Sequence, residues 1–373
     1  MIYFDNAATT FPKPDTVVER VGIALSEFGG NPGRSSHRMS MIADREIFAC
    51  RNAVAKMFNA LPERVIFTYN ATYALNMAMN GLYRSGGIVI SDLEHNSVRR
   101  PALNLTGDVH IFDSHIELFG AERTEKILSS IKKKISGAGI LCCTAASNIC
   151  GAELPIREIG LLCREKDVGF IVDGAQAGGV KNIDMKRDNF DVLCLPGHKG
   201  LYGPAGTGIM ILGENTDMLP FIFGGSGVDS FSEGMPEMPP ERYEGGTLAV
   251  APISGLMSGI EFVMSKRIEN IREYECRLGK RFEDGLRSLG AVVYSPRCAE
   301  YSPIVLFKLH IDPEETARIL DKNGICVRAG YHCAPLAHRR LNTGLGGAVR
   351  ASFSVFNTVD EVDETLAVLR KIK

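Results

Sequence analysis

Pro196-Gly197-His198-Lys199-Gly200-Leu201-Tyr202-Gly203-Pro204 follows directly on an apolar run, Val192-Leu193-Cys194-Leu195. A short apolar run that ends at Pro and Gly reads as a buried strand. Lys199 then stands just past a strand end, which is where an open α/β sheet keeps its ligand. A lysine partly withdrawn from water there loses its preference for the charged form, and the free amine can form a Schiff base with an aldehyde. Upstream, Phe170-Ile171-Val172 runs into Asp173-Gly174-Ala175-Gln176, a second apolar run closed by an acid. A lysine and an aspartate on neighbouring strand ends suit pyridoxal 5′-phosphate (PLP). The amine takes the aldehyde, and the carboxylate keeps the pyridine nitrogen protonated so that the ring accepts electrons.

The flanking sequence carries the same alternation. Val65–Thr68, Ile88–Ser91, Val109–Phe112, Ile140–Cys143, Phe170–Val172, Val192–Leu195 and Gly208–Leu212 read as strands. A helix capped by Asn70 follows the first, and another spans Ile156 to Asp167, with Ile156, Ile159, Leu162 and Cys163 on one face. Strands alternating with helices predict a mostly parallel sheet covered on both faces. Gly224 to Gly246 reads as a long irregular loop, and such loops tend to carry function. One helical stretch from about Pro252 to Arg287 is expected next. Strands at Val292–Tyr294, Pro303–Phe307, Ile325–Arg328 and Val349–Phe353 then mix with helices near Pro313–Asn323 and Val359–Lys371. The expected division is a large α/β domain over 15–255 and a smaller α+β domain from 1–14 and 256–373. The extended Phe11-Pro12-Lys13-Pro14 entry places the first residues near the smaller one.

The chain has 373 residues and a net charge of −2, with 45% hydrophobic and 23% charged residues. No basic block supports nucleic-acid binding, and Lys132-Lys133-Lys134 reads as the cationic end of a helix. No apolar run is long enough for a membrane span, and the N-terminus does not read as a signal peptide. The ten cysteines are scattered, which suits a reducing cytoplasm. Cys142-Cys143 reads as core, and no paired zinc spacing is present, so no metal is expected.

Taken together, the motifs resemble the cysteine desulfurases among the class V, fold type I PLP enzymes. The likeness runs from Asp5-Asn6-Ala7-Ala8-Thr9-Thr10 through Asn31-Pro32-Gly33-Arg34-Ser35-Ser36-His37, Asn70-Ala71-Thr72, Leu93-Glu94-His95-Asn96-Ser97 and Ser147-Asn148. It continues through the Asp173 and Lys199 motifs to Arg328-Ala329-Gly330-Tyr331-His332-Cys333-Ala334-Pro335. The resemblance implies a fold type I transferase and assigns roles. Lys199 carries the cofactor, Asp173 meets its pyridine nitrogen, Gln176 its phenolic oxygen, and His95 stacks on the ring and relays protons. Ala71, Thr72 and His198 receive the phosphate, where a helix N-terminus favours an anion. Thr247 is assigned to the phosphate of a neighbouring subunit, which implies a homodimer with shared sites. Arg350 is assigned to the substrate carboxylate, with Asn148, Arg328, His37 and Ala8 on the substrate side. Cys333 is assigned to take the sulfur as a persulfide, a step that requires an accessible thiolate.

The short distance in sequence from Cys333 to Arg350 resembles the group with a compact catalytic loop, whose members usually hand sulfur to an acceptor protein. Two positions depart from the pattern. Pro196 replaces a hydroxyl residue that touches phosphate, and Ala145 replaces a histidine. Selenocysteine lysis and transamination remain alternative reactions on these residues, and a PLP-binding regulatory protein without turnover is a further alternative.

Overall fold

The computed structural model describes residues 1–32, 37–229, 231–296 and 302–372. Gly33-Arg34-Ser35-Ser36 of the Asn31–His37 motif, Ser230 of the long loop, and Cys298 fall outside these ranges. The described strands are β1 (Ile2–Tyr3), β2 (Val65–Thr68), β3 (Gly87–Ser91), β4 (Val109–Phe112), β5 (Ala138–Thr144), β6 (Gly169–Asp173), β7 (Val192–Pro196), β8 (Gly208–Leu212), β9 (Val292–Val293), β10 (Ile304–Lys308), β11 (Ile325–Cys326), β12 (Arg328–Gly330) and β13 (Ala348–Ser352). The helices are α1 (Asp15–Glu27), α2 (Arg38–Phe58), α3 (Ala71–Leu82), α4 (Asn96–Leu105), α5 (Gly120–Lys132), α6 (Ile156–Glu165), α7 (Met185–Asp188), α8 (Val250–Lys266), α9 (Ile268–Ser288), α10 (Pro313–Lys322), α11 (Pro335–Leu341) and α12 (Val359–Leu369).

Seven strands form the main sheet in the order β2-β8-β7-β6-β5-β3-β4. Only β8 runs against its neighbours β2 and β7; the other pairs are parallel. Successive side chains of a strand point to opposite faces, so each strand feeds two cores. Ile140, Cys142, Ile171 and Cys194 enter one of them. Leu141, Cys143, Phe170, Val172 and Leu193 enter the other. Both faces are dry, which is why these strands read as unbroken apolar runs. Asp173 and Pro196 end two adjacent parallel strands, and that adjacency carries the residues from both strand ends to one crevice.

A second, four-stranded antiparallel sheet has the order β12-β13-β10-β9. Its core gathers Phe282, Phe307 and Phe353 with Phe4 from the chain start. The N-terminal strand β1, a strand not expected from the extended entry, pairs in parallel with β11.

Three expectations are corrected here. The stretch from Pro252 to Arg287 is two helices, α8 and α9, broken at Arg267, whose φ of +69° leaves helical geometry. The run Ile325–Arg328 is two strands, because Ile325 and Cys326 pair with β1 while Arg328 pairs with Arg350 on β13. Helices α1, α2, α4, α7 and α11 have no counterpart among the expected elements, whereas the lysine run sits at the end of α5 as expected.

α8 packs on α1 and α2, whereas α9 packs on β9, β10 and α12. Tyr202, three residues past Lys199, is buried between these parts. Its hydroxyl lies 3.2 Å from Glu275 Oε1 on α9 and receives the Val355 N–H at 3.3 Å. Burial pushes the Glu275 carboxyl up to about 8 from an ordinary 4.5. The folded protein therefore keeps a proton on Glu275 across a range where the unfolded chain has released it. Stability from this group is complete below about pH 4.5 and is lost as pH rises through 8. Glu275→Gln should flatten the fall of melting temperature between these limits and raise it by a few degrees at pH 8. Thermal unfolding across pH checks this; parallel curves for variant and parent would refute it.

Candidate active site

The crevice at the carboxyl ends of β6 and β7 holds a cavity of about 100 Å³ whose lining includes Lys199, Asp173, His95, Gln176, Thr72 and His198. Ala71, Asn148 and Pro196 also face it. The turn carrying Lys199 is pressed onto the turn after β6. At Gly179, with φ +82°, a Cβ would come within 1.9 Å of the Gly200 carbonyl oxygen, so only glycine allows this approach.

Lys199 is half-buried, and desolvation of its amine lowers it to about 8 from 10.5. Asp173 opposes that shift, while Arg350 and Arg328 add to it. Desolvation wins because no single carboxylate restores the lost hydration of the ammonium. Burial raises Asp173 in turn, against the Ala175 N–H at 2.9 Å and the charge of Lys199. Next to it, Glu94 is fully buried and pushed up to about 8 by desolvation. Glu94 takes the Thr144 N–H at 3.0 Å and contacts the Ser91 hydroxyl. Glu94 thus favours its neutral form near pH 7 and adds little negative charge beside Asp173. Sequence reading quoted Glu94 in a motif without a role, and only its burial reveals one.

His95 caps α4. Its Nδ1 accepts the Ser97 N–H at 3.0 Å, so the neutral ring carries its proton on Nε2. Burial first, then Lys199, lowers the imidazole to about 4. Ser97 Oγ is 2.8 Å from the same nitrogen and 2.6 Å from Thr72 Oγ1. Two hydroxyls therefore stand side by side at the start of α3, where Asn70 caps the helix by accepting the Tyr73 N–H. Ser97 was missed because nothing in a linear reading ties it to Thr72. The His198 ring is also lowered to about 4 by burial, and its carbonyl receives Thr10 N–H and the Lys13 ammonium. Pro196 lines the cavity without a hydroxyl, and Ala145 is wholly buried core.

Gln176 donates its amide to the Ala7 carbonyl at 2.9 Å, which ties the N-terminal turn containing Ala8 to the crevice. Arg350, on β13, is 2% exposed. It donates to the Asn148 carbonyl at 2.9 Å and to Asp5 Oδ1 at 2.7 Å, while its buried Nε has no hydrogen-bond partner among the described residues. Arg328 reaches the other oxygen of Asp5 at 3.1 Å. Asp5 thus joins the two arginines, a role the sequence did not suggest. The Asn148 amide donates to the His332 carbonyl at 2.9 Å, and the Asn96 N–H to the Cys333 carbonyl at 2.7 Å. Cys333 is the one exposed thiol among the described cysteines.

Two assigned residues lie elsewhere. His37 is exposed and caps α2 by accepting the Ser40 N–H. Thr247 is exposed beside a different small cavity, next to Phe67, Tyr69 and Tyr73. The buried Arg51–Glu244 pair holds the segment before it in place.

Comparison with known proteins agrees with this geometry. The family model for class-V aminotransferases matches residues 2–365. A probable cysteine desulfurase of Pyrococcus abyssi is 33% identical, covering 100% of this chain and 94% of that protein. One from Methanothermobacter thermautotrophicus is 30% identical, covering 97% and 92%. The apo structure of the cysteine desulfurase from Thermococcus onnurineus NA1 superposes with a TM-score of 0.89 at 30% identity, covering 100% of this chain and 94% of that one. The chain belongs to the class-V aminotransferase family and, within it, groups with the cysteine desulfurases. PLP is the cofactor that this family implies. No described helix is long and apolar enough to cross a membrane.

The exposure pattern makes a direct prediction. Brief treatment of the native protein with iodoacetamide, followed by mass mapping, should label Cys333 well ahead of Cys50, Cys142, Cys143, Cys150, Cys163 and Cys194, all of which are buried. Equal labelling of any of these six would contradict the fold around them.

Proposed function

We propose that this enzyme binds PLP through Lys199 and removes sulfur from L-cysteine, releasing L-alanine and leaving a persulfide on Cys333. The observation that carries the reading is the shared crevice of Lys199, Asp173 and His95, with an exposed cysteine on a loop tied to that crevice at Asn96 and Asn148. The donor set fits the cofactor: an amine near its reactive state, a buried acid, a flat neutral imidazole, and hydroxyls at a helix N-terminus. When bound, PLP supplies an electron sink at the substrate Cα.

The chain's own residues supply the rest. Lys199 holds the cofactor and then moves the proton at Cα. Asp173 stays ionised against the pyridine nitrogen, with the neutral Glu94 beside it. Gln176 faces the phenolic oxygen and His95 covers the ring. Ala71, Thr72 and His198 take the phosphate, and Ser97 offers a hydroxyl where Pro196 has none. Arg350 takes the substrate carboxylate by exchanging its hold on Asp5, with Asn148, Arg328 and Ala8 around it. The Cys333 thiolate forms the S–S bond as the substrate C–S bond breaks. The electron pair of that bond stays on carbon, which is then protonated to give alanine.

Thr247 lies outside this cavity, which suits a contribution to a second copy of the chain. The exposed Phe223, Phe231 and Met238 on the same long segment would be covered in such a homodimer. The large domain (15–255) and the small one (1–14 with 256–373) are the expected division, with a cytoplasmic setting and a sulfur-acceptor protein as partner.

Two substitutions test this reading. Lys199→Ala should abolish the visible absorbance of the lysine-bound cofactor, and an unchanged spectrum would sink the assignment. Cys333→Ala should keep that absorbance and lose persulfide formation from cysteine by at least about a hundredfold, as expected for an essential nucleophile. Persulfide mapped to another cysteine would reassign the acceptor. Alanine release measured from cysteine and selenocysteine side by side decides the substrate.

A further inference from the structure

Cys333 sits in an unusual backbone. His332 has φ +48° and Cys333 has φ +56°, two consecutive side-chain-bearing residues in left-handed geometry. Each costs energy that neighbouring structure must offset. The carbonyl bonds to Asn148 and Asn96 hold the loop from outside. A second set of bonds holds it from within.

The His332 side chain turns inward and is 8% exposed; His338 on α11 and Thr343 just beyond it are each 3% exposed. His332 Nε2 lies 3.1 Å from the Arg328 carbonyl oxygen. His332 Nδ1 is 3.2 Å from His338 Nε2, and His338 Nδ1 is 2.8 Å from Thr343 Oγ1. The carbonyl can only accept, so His332 Nε2 carries the hydrogen. In a neutral ring Nδ1 then accepts, so His338 Nε2 must donate and its own Nδ1 must accept from the Thr343 hydroxyl. All three hydrogens point one way, from Thr343 to Arg328, and every ring nitrogen is engaged. Burial keeps both rings neutral, with His332 lowered to about 3 and His338 to about 4.

This arrangement excludes one obvious role. His332 adjoins Cys333 in sequence, but it has no free nitrogen with which to take the thiol proton. Its ring anchors the loop instead. We propose that His338 and Thr343 are positioning residues for sulfur transfer: the one-way hydrogen-bond chain from Thr343 through His338 and His332 to the Arg328 carbonyl locks the left-handed turn that presents Cys333. The proposal rests on the reading of Cys333 as the sulfur acceptor. It assigns no contact with substrate or cofactor to either residue.

The test uses the PLP-loaded enzyme with Thr343→Val, which keeps side-chain shape and removes only the terminal donor, and Thr343→Ser, which restores it. In Thr343→Val the visible cofactor absorbance and the KM for cysteine should hold. The rate of Cys333 persulfide formation should fall about tenfold, as expected for one unsatisfied buried hydrogen-bonding group. Thr343→Ser should recover most of it. Nitrogen NMR of the labelled histidines, assigned through His338→Gln, should show His332 and His338 as neutral Nε2–H rings in the parent and a changed His338 in Thr343→Val.

An unchanged persulfide rate in Thr343→Val would overturn the proposal, as would an Nδ1–H ring at either histidine in the parent. So would a loss of rate that Thr343→Ser fails to restore. Failure of the Cys333 reading is distinguishable, because it would appear as persulfide surviving Cys333→Ala. In that event the rate of iodoacetamide labelling at Cys333, without cysteine, still reports the turn. Labelling equal in Thr343→Val and parent would then count against the chain.

Discussion

Everything at this crevice depends on the burial of opposite charges at two adjacent strand ends. Asp173 and Lys199 are both removed from water, and neither fully repays the other. Burial lowers the lysine to about 8, towards its free-amine form, and pushes the aspartate up from its ordinary value. A surface lysine would stay charged and inert as a nucleophile. The sheet achieves this with ordinary means: parallel strands buried on both faces, a glycine turn after each, and a close approach at Gly179 that only a missing side chain permits.

The surrounding polar groups follow from that constraint. A second buried anion beside Asp173 would repel it, and Glu94 avoids this by keeping its proton. A cationic imidazole over the same space would compete with Lys199, and His95 avoids this by staying neutral with its Nδ1 satisfied by Ser97. On the far wall, Asp5 balances two arginines at once. This joins the N-terminal turn to β12 and β13. It also keeps the charge of Arg350 paired, and in the proposed function a substrate carboxylate of similar shape takes the place of Asp5.

Much of this was legible in the sequence, for a physical reason. Doubly covered strands are continuous apolar runs, so Val65–Thr68 and Gly208–Leu212 are legible to the residue. The lysine and aspartate were legible because they terminate such runs. The misses share a cause as well. Helical periodicity runs through Arg267, while the break there is a single backbone rotation that composition does not encode. Ile325–Arg328 is one apolar stretch whose halves are claimed by partners more than three hundred residues apart and about twenty apart. The Thr72–Ser97 contact and the Asp5 bridge likewise exist only once distant segments meet.

The loop bearing Cys333 completes the logic from the opposite direction. Under the proposed reading, a thiol that meets a substrate in the crevice and then gives up sulfur needs exposure, and exposed loops are poorly fixed. Here the fixing is moved one residue back. The His332 ring is buried and fully bonded, its carbonyl is tied to Asn148, and the next carbonyl is tied to Asn96, while the Cys333 side chain stays in solvent. Asn148 also receives Arg350 at its carbonyl. One residue therefore bonds both: its backbone carbonyl holds the candidate carboxylate clamp and its side-chain amide holds the loop of the candidate sulfur acceptor.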